Sequence, residues 1–419
     1  MIRHFLLTIF VLASTTLSAQ ITPSILFLGN DNSYRESQSM ILLEGFGMAG
    51  GNAVDIQFIK QNVVGGHISS ARIDELVDNS YALNRAGFAL QGGFQFWSFG
   101  DTLFGHDNWG LRLQVNTNYH ASLSYTDKLF STIYQGNAQF AGDSVQLGPM
   151  IAQYQSWQKF GVGLFNKKSL SSLSLSLVAG EKYQSLVLQN AQLYTSPTGD
   201  SLALSYTGDY YRSDTLKSGW ANGSGLGLAL DLDFNLPIAD HKGAISIGLR
   251  DLGFVAWNKQ SEQIVFDSLT TWKGVETNDL FDLATDTLDL PNLTDSIHAT
   301  TTKKNFVAVL PLSLHVRFSK YFTKTDYYEF GVSIWPNRAA VPLVYLGMNH
   351  LIGDRFIFSE RISYGGYGGL GLGAEMQWMP KGQWLFKLGT QHLGGFTMNS
   401  AHSRDFTFTI GRIFWKQKN

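Results

Sequence analysis

The side chains in this chain that could do chemistry are charged residues set two apart. Asp231 and Asp233 share one parity, as do His315 and Arg317, and Arg112 and His120 fall on one face of the run that holds them. Arg250, Arg361 and Glu375 belong with them, on the polar side of alternating segments. A spacing of two places side chains on one face of a strand. Asp231 and Asp233 also lie one hairpin away from Arg250, within reach of cross-strand pairing. Two readings stand for this face: a charged constriction that selects solutes, or a set of mutually paired charges that stiffens a wall.

Catalytic patterns are poor. The chain has no Gly-x-Ser-x-Gly elbow and no Walker-type phosphate loop. Gly366-x-Gly368-x-x-Gly371 spells a dinucleotide fingerprint, but that fingerprint needs a helix after it, and 370–378 alternates as a strand. The histidines show no His-x-x-x-His or His-Glu-x-x-His spacing, and there are no cysteines. No metal, no cofactor and no enzymatic activity are therefore expected. The segment 259–304 is acidic, with Asp279, Asp282, Asp286, Asp289 and Asp295. These could offer oxygen ligands to Ca²⁺, but they lack the dense spacing of a calcium loop, and a solvated loop is the simpler reading.

The elements that must position the charges are strands. Leu111, Leu113, Val115, Thr117 and Tyr119 interleave with Arg112, Gln114, Asn116, Asn118 and His120. Leu226, Leu228, Leu230, Leu232 and Phe234 interleave with Gly225, Gly227, Ala229, Asp231 and Asp233. The same pattern recurs at 245–250, 312–319 and 370–378. Runs 86–98, 109–121, 222–236, 243–257, 306–321, 367–379 and 404–415 are long enough to cross a bilayer, which takes ~9–11 tilted residues. Soluble strands average ~5–6. Aromatics sit near the run ends: Trp97, Tyr119, Trp220, Trp257, Tyr321, Trp335, Tyr364, Trp378, Trp384, Phe414 and Trp415. They suit the two interfacial girdles of a membrane barrel. Short polar breaks at 239–242, 323–326, 352–354 and 379–382 join long strands, as turns on one side of such a barrel do.

Composition fits. Charged residues make up 15% of the 419 residues and aromatics 13%, with 43 glycines against 9 prolines; an average soluble domain carries roughly 25% charged residues. The net charge of −2 gives no electrostatic case for nucleic acid. Residues 1–19 read as a signal peptide: Arg3 and His4, an apolar stretch over 5–13, then Ser18-Ala19-Gln20 as the cleavage site. That stretch falls well short of the ~20 residues a spanning helix needs, so insertion must use strands.

The expected fold is all-β, a single closed antiparallel transmembrane β-barrel of about 14 strands, with a range of about 12–16 and an even number favoured. Residues 20–84 form an N-terminal segment that could partly plug the lumen, and 85–419 form the barrel, with 259–304 as a long extracellular loop. Helical spacing over 70–80 and 127–135 predicts two short helices, at the mouth or in the lumen. In 356–364, parity sends Glu360 outward beside Phe356 and Phe358.

One hairpin resembles a known group. The run 225–234, a polar turn and then 244–257, with Asp251-Leu252-Gly253 followed by Trp257, is similar to an uncharacterised outer-membrane barrel family of the Bacteroidota. Gly136-Asn137-Ala138-Gln139-Phe140 and Leu310-Pro311 also match, and the resemblance covers roughly 120–410. That family looks distantly like the long-chain fatty-acid transporter barrels. The resemblance implies a barrel in the outer membrane and no established substrate. Two functions follow as expectations: a transporter or channel for small or hydrophobic solutes, or a non-conducting scaffold for protein secretion or surface assembly. The implied partners are outer-membrane lipid and either a small hydrophobic solute or a secretion or surface protein.

Overall fold

The computed structural model describes residues 37–100, 103–217, 219–238, 243–273, 299–336, 339–353, 355–380 and 383–415. The expected signal peptide, the turn at 239–242 and the acidic cluster 279–295 lie outside them.

The chain opens with β1 (Ser37–Gly51), then helices α1 (Ile56–Val64) and α2 (Ser70–Asp78). β2 (Leu83–Ser98) and β3 (Trp109–Thr126) follow, then α3 (Asp127–Gln135) and the short β4 (Ser144–Gln146). Next come β5 (Met150–Asn166), β6 (Ser172–Thr195), β7 (Ser201–Arg212), β8 (Gly225–Ile238) and β9 (Gly243–Trp257). β10 (Glu262–Lys273), β11 (Ala299–Lys303), β12 (Phe306–Val309), β13 (Ser313–Tyr321) and β14 (Asp326–Ile334) continue it. β15 (Val341–Ile352), β16 (Phe356–Gly366), β17 (Gly369–Trp378), β18 (Trp384–Thr390), α4 (Gly394–Thr397) and β19 (Ser403–Trp415) complete it.

These strands close into a 14-strand antiparallel barrel. The ring runs β1-β2-β3-β5-β6-β8-β9-β13-β14-β15-β16-β17-β18-β19 and shuts by pairing β19 with β1. Closure removes the unpaired edges an open sheet would leave. Burial follows the pleat. On β6, Leu173, Leu175 and Leu177 are 51%, 54% and 67% exposed, while Ser172, Ser174 and Ser176 beside them are 4%, 1% and 1% exposed. The apolar face therefore points out of the ring and the polar face into it, the reverse of a soluble sandwich. Leu113 and Leu228 obey the same rule, at 42% and 43% exposed. Glu360 does point outward, where its carboxylate lies 3.7 Å from His350.

Three expectations need correcting. The barrel begins earlier than residue 85, because β1 supplies a wall strand paired on both sides, so 37–51 is not a plug. The ends of 259–304 are strands rather than loop. β10 pairs with β7 and β11 with β10, extending the sheet past the ring from the far half of β6. Finally, Trp97, Trp257 and Trp335 are buried, so they stand outside any outer belt. Trp415 packs on a buried cluster, and Tyr119 rests beside Phe88 and Tyr154. Trp220, Trp378 and Trp384 are exposed.

The short turns and the first described residue share one end. The helices sit at the other. Asp55 accepts from the Phe58 amide at 2.8 Å to cap α1, and its carboxylate also pairs with Arg72 of α2. Thr126 caps α3 through the Leu129 amide at 3.1 Å. Capping satisfies amides that have no partner within the helix. The apolar faces of the three helices then meet over Val54, Phe58, Ile59, Ile73, Leu76 and Phe130. The two helices expected at 70–80 and 127–135 are α2 and α3; α1 was not anticipated.

Candidate functional site

Inside the ring, most of the wall charges are paired; Glu44 of β1 is held by the Gln95 amide instead. Asp233 of β8 takes Arg250 at 2.5 Å, Arg112 at 3.1 Å and the Ser172 hydroxyl at 3.0 Å. Asp231, two residues back, accepts from Lys159 at 2.9 Å, from the Gln114 amide at 2.6 Å and from the backbone amide of Asp251 at 3.0 Å. Lys159 also reaches Asp251 at 2.7 Å. Gln114 can cross β5 because Gly161 stands there; a Cβ would sit 2.7 Å from its Cγ. A second cluster lines β13 to β18. Arg361 joins Glu329 at 2.5 Å and Glu375 at 3.3 Å, Lys387 joins Glu375 at 2.9 Å, and Arg317 stands 3.9 Å from Glu329. Burial favours such pairing, since an uncompensated charge there is costly.

All of the lumen residues expected from parity face inward. Arg112, His120, Asp231, His315, Arg317, Arg361 and Glu375 are buried, and Asp233 and Arg250 are partly so. They form more than one group. His315 belongs with Ser333, whose hydroxyl is 2.8 Å from its Nδ1, and with Tyr345, whose ring stacks on it at 5.9 Å. His120 serves a different contact. Tyr367, from the turn between β16 and β17, brings its hydroxyl to 3.3 Å from the His120 Nε2. Its ring lies over Gly87, where a Cβ would be 2.0 Å away.

Parity counting missed Lys159, Glu329 and Lys387. Lys159 shares its parity with Gly161 and Gly163 on β5, whose pairing with β3 is unbroken, but 150–166 was not among the runs counted as spanning. Glu329 lies on β14, which was not among the counted runs, although Tyr327-x-Glu329 carried the right spacing. A register shift opposite Leu230 and Leu232 lets the consecutive Arg250 and Asp251 both face inward. Asp251 there has φ of 58°, in the left-handed region that Asp tolerates better than most residues. The rest of that motif is structural. The Gly253 carbonyl accepts from the Leu310 amide at 3.0 Å, Leu252 is exposed outside, and Trp257 packs with Tyr183 and Phe306.

Between the clusters lies a cavity of about 130 Å³, lined by Arg112, Asp233, Arg250, His315 and Arg317 together with Trp97, Trp157 and Trp335. At the short-turn end Met40, Leu42, Trp97, Phe99, Phe165, Leu170, Leu385 and Ile413 pack into one buried apolar layer. At the opposite end Tyr367 joins Met48 and Ala89. Among the described residues no group of His, Cys, Asp and Glu has metal-holding geometry.

The model of a family of unknown function (DUF5723) matches residues 165–386, just over half of the chain. The chain belongs to that family. The matched stretch runs from the end of β5 into β18 and holds Asp231, Asp233, Arg250 and Asp251 as well as Glu329, Arg361 and Glu375. Their partners Arg112, Lys159 and Lys387 lie outside it. No curated protein matches. Among solved structures, the P. putida toluene transporter TodX is similar at 7% identity, covering 93% of this chain and 94% of its own, with a TM-score of 0.41. The translocator domain of the autotransporter NalP from Neisseria meningitidis is similar at 8% identity, covering 90% and 89%, with a TM-score of 0.30.

Proposed function

We propose that the protein is an outer-membrane barrel that admits a small solute carrying polar groups into a charge-paired cavity and stands closed at both ends at rest. One observation carries this reading: a cavity of about 130 Å³, lined by paired charges and by Trp97, Trp157 and Trp335, lies between two buried apolar clusters. The outward leucines supply the membrane half, since a band of that kind is stable against hydrocarbon and unstable against water. The charged part of the wall suits a solute that carries polar groups, and Trp97, Trp157 and Trp335 offer it an apolar face. Each buried polar group left facing an apolar guest would lose its solvation without replacement. The fixed, paired charges would act on solutes by shape and hydrogen bonding rather than by net charge.

Planar-bilayer recording of the purified full chain tests the reading. Reproducible single-channel steps, altered by polar solutes added to one side, are the expected result. A silent bilayer with partner proteins copurifying would instead favour a non-conducting scaffold for secretion or surface assembly. The sheet of β7, β10 and β11 beyond the ring is the feature that speaks for that second reading.

A further inference from the structure

The outer wall near the short-turn end carries an aromatic ladder. Trp378 on β17 lies 5.8 Å from Phe386 on β18, and Trp384 stacks on Phe386 at 6.0 Å. Arg412 of β19 stands within it. Its guanidinium is 4.7 Å from the Trp384 ring and 5.9 Å from the Phe414 ring. Its cross-strand neighbours are Trp384 on one side and Ile41 on the other. Among the described residues no carboxylate pairs with it; its contacts are those two rings. Farther up the same wall a groove is lined by Phe356, Met376, Leu388, Phe408 and Ile410. Phe408 lies flat on Gly45 of β1, where a Cβ would meet its ring at 2.3 Å, so the groove keeps a smooth floor.

Each inward arginine discussed above has a carboxylate, and this outward one has none among the described residues. An arginine facing lipid costs about 2–4 kcal/mol at the midplane and about 0–1 near an interface. Arg412 lies three residues before Trp415 and level with Trp384, the first residue of β18, in the belt where Trp and Arg meet headgroups. Ring contacts occupy the faces of the guanidinium and leave its N–H edges available. Those edges form the planar fork that takes a phosphate through two hydrogen bonds.

We propose that this wall binds one phospholipid, its phosphodiester on Arg412 and an acyl chain in the groove below Phe408 and Ile410. The proposal rests on the outer-membrane reading, and its test separates the two. The wild-type full chain is first purified in detergent and shown to need it; a chain that stays in solution without detergent overturns the membrane reading itself. Phosphatidylglycerol is then added back to delipidated protein and followed by native mass spectrometry. The wild type is expected to hold one lipid, with R412Q and the groove-filling Ile410→Trp each weakening binding by on the order of tenfold. R412K, which keeps the charge and loses the fork, should fall between. Detergent-dependent protein whose variants retain lipid as the wild type does overturns the site, as does equal retention of diacylglycerol, which lacks the phosphate. Competition by inorganic phosphate alone would show a free-anion site and overturn the lipid assignment. Because Ile410→Trp leaves Arg412 in place, the test survives if R412Q does not fold.

Discussion

Lys159 of β5 reaches Asp251 of β9 at 2.7 Å, across the two ring strands β6 and β8 that separate them. The contact exists because Lys159 lies on the inward parity of β5 and a register shift turns Asp251 in beside Arg250. Lys159 and Asp231 are both almost wholly buried, so removing the cation leaves carboxylates with no compensating charge. Lys159→Met should destabilise the barrel by about 3–5 kcal/mol, read as a lower midpoint in a urea titration followed by gel mobility. An unchanged midpoint would show that water or a rearranged Arg250 takes over the role.

Asp251 combines two demands, a charge and a left-handed backbone. Asp251→Asn keeps the conformation and loses the charge. Asp251→Val loses both, and its β-branched side chain adds strain of about 1–3 kcal/mol. Valine should therefore be the worse substitution by that margin, and equal melting points would remove the backbone half of the argument.

Depth decides the cost of an outward arginine. Leu177 is 67% exposed on the outer wall, well along β6 from the short-turn end, and Leu236 is 44% exposed near that end of β8. Leu177→Arg should cost about 2–4 kcal/mol and Leu236→Arg about 0–1 kcal/mol in folding titrations into lipid vesicles. Equal costs would mean that the wall does not meet a graded membrane. The wild type should also migrate faster on a semi-native gel before boiling than after, because a closed barrel resists unfolding in detergent.

Tyr367 and Leu42 belong to opposite closures. Tyr367→Ala or Leu42→Ala alone leaves one end shut and should change bilayer conductance little, whereas the double variant should raise it clearly. Additive or absent effects would place the barrier elsewhere in the lumen.

How much of this was legible in the residues depends on the face each strand presents. β3, β6 and β8 set leucine against serine, glutamine or aspartate, so their direction and the inward charges could be read by counting. β1 could not be read that way. Its inward Met40, Leu42, Phe46 and Met48 are as apolar as its outward Ile41 and Leu43, because part of that face plugs the ring instead of meeting solvent. Trp97 misled for the same reason: an aromatic near a strand end belongs to a belt or to a plug, and sequence position is the same for both. Lys159 was missed because the inward face of β5 mixes Trp157, Lys159, Gly161 and Phe165, so polar and apolar residues do not separate there by parity. Pairing partners were the illegible part of the site, since they join strands that the chain visits far apart.

The seam between β1 and β19 sets a condition on how this protein is made. Thr407 donates its hydroxyl to the Gly45 carbonyl, a contact between residues 362 positions apart. Until that last strand arrives, β1 offers a row of unsatisfied amides, and the whole leucine band has neither lipid nor partner. Long-range pairing of this sort is slow and open to aggregation while it waits. The finished ring is thus self-sealing, but its precursor must be escorted, and a shortened chain lacking β19 would leave a sticky crescent rather than a smaller pore.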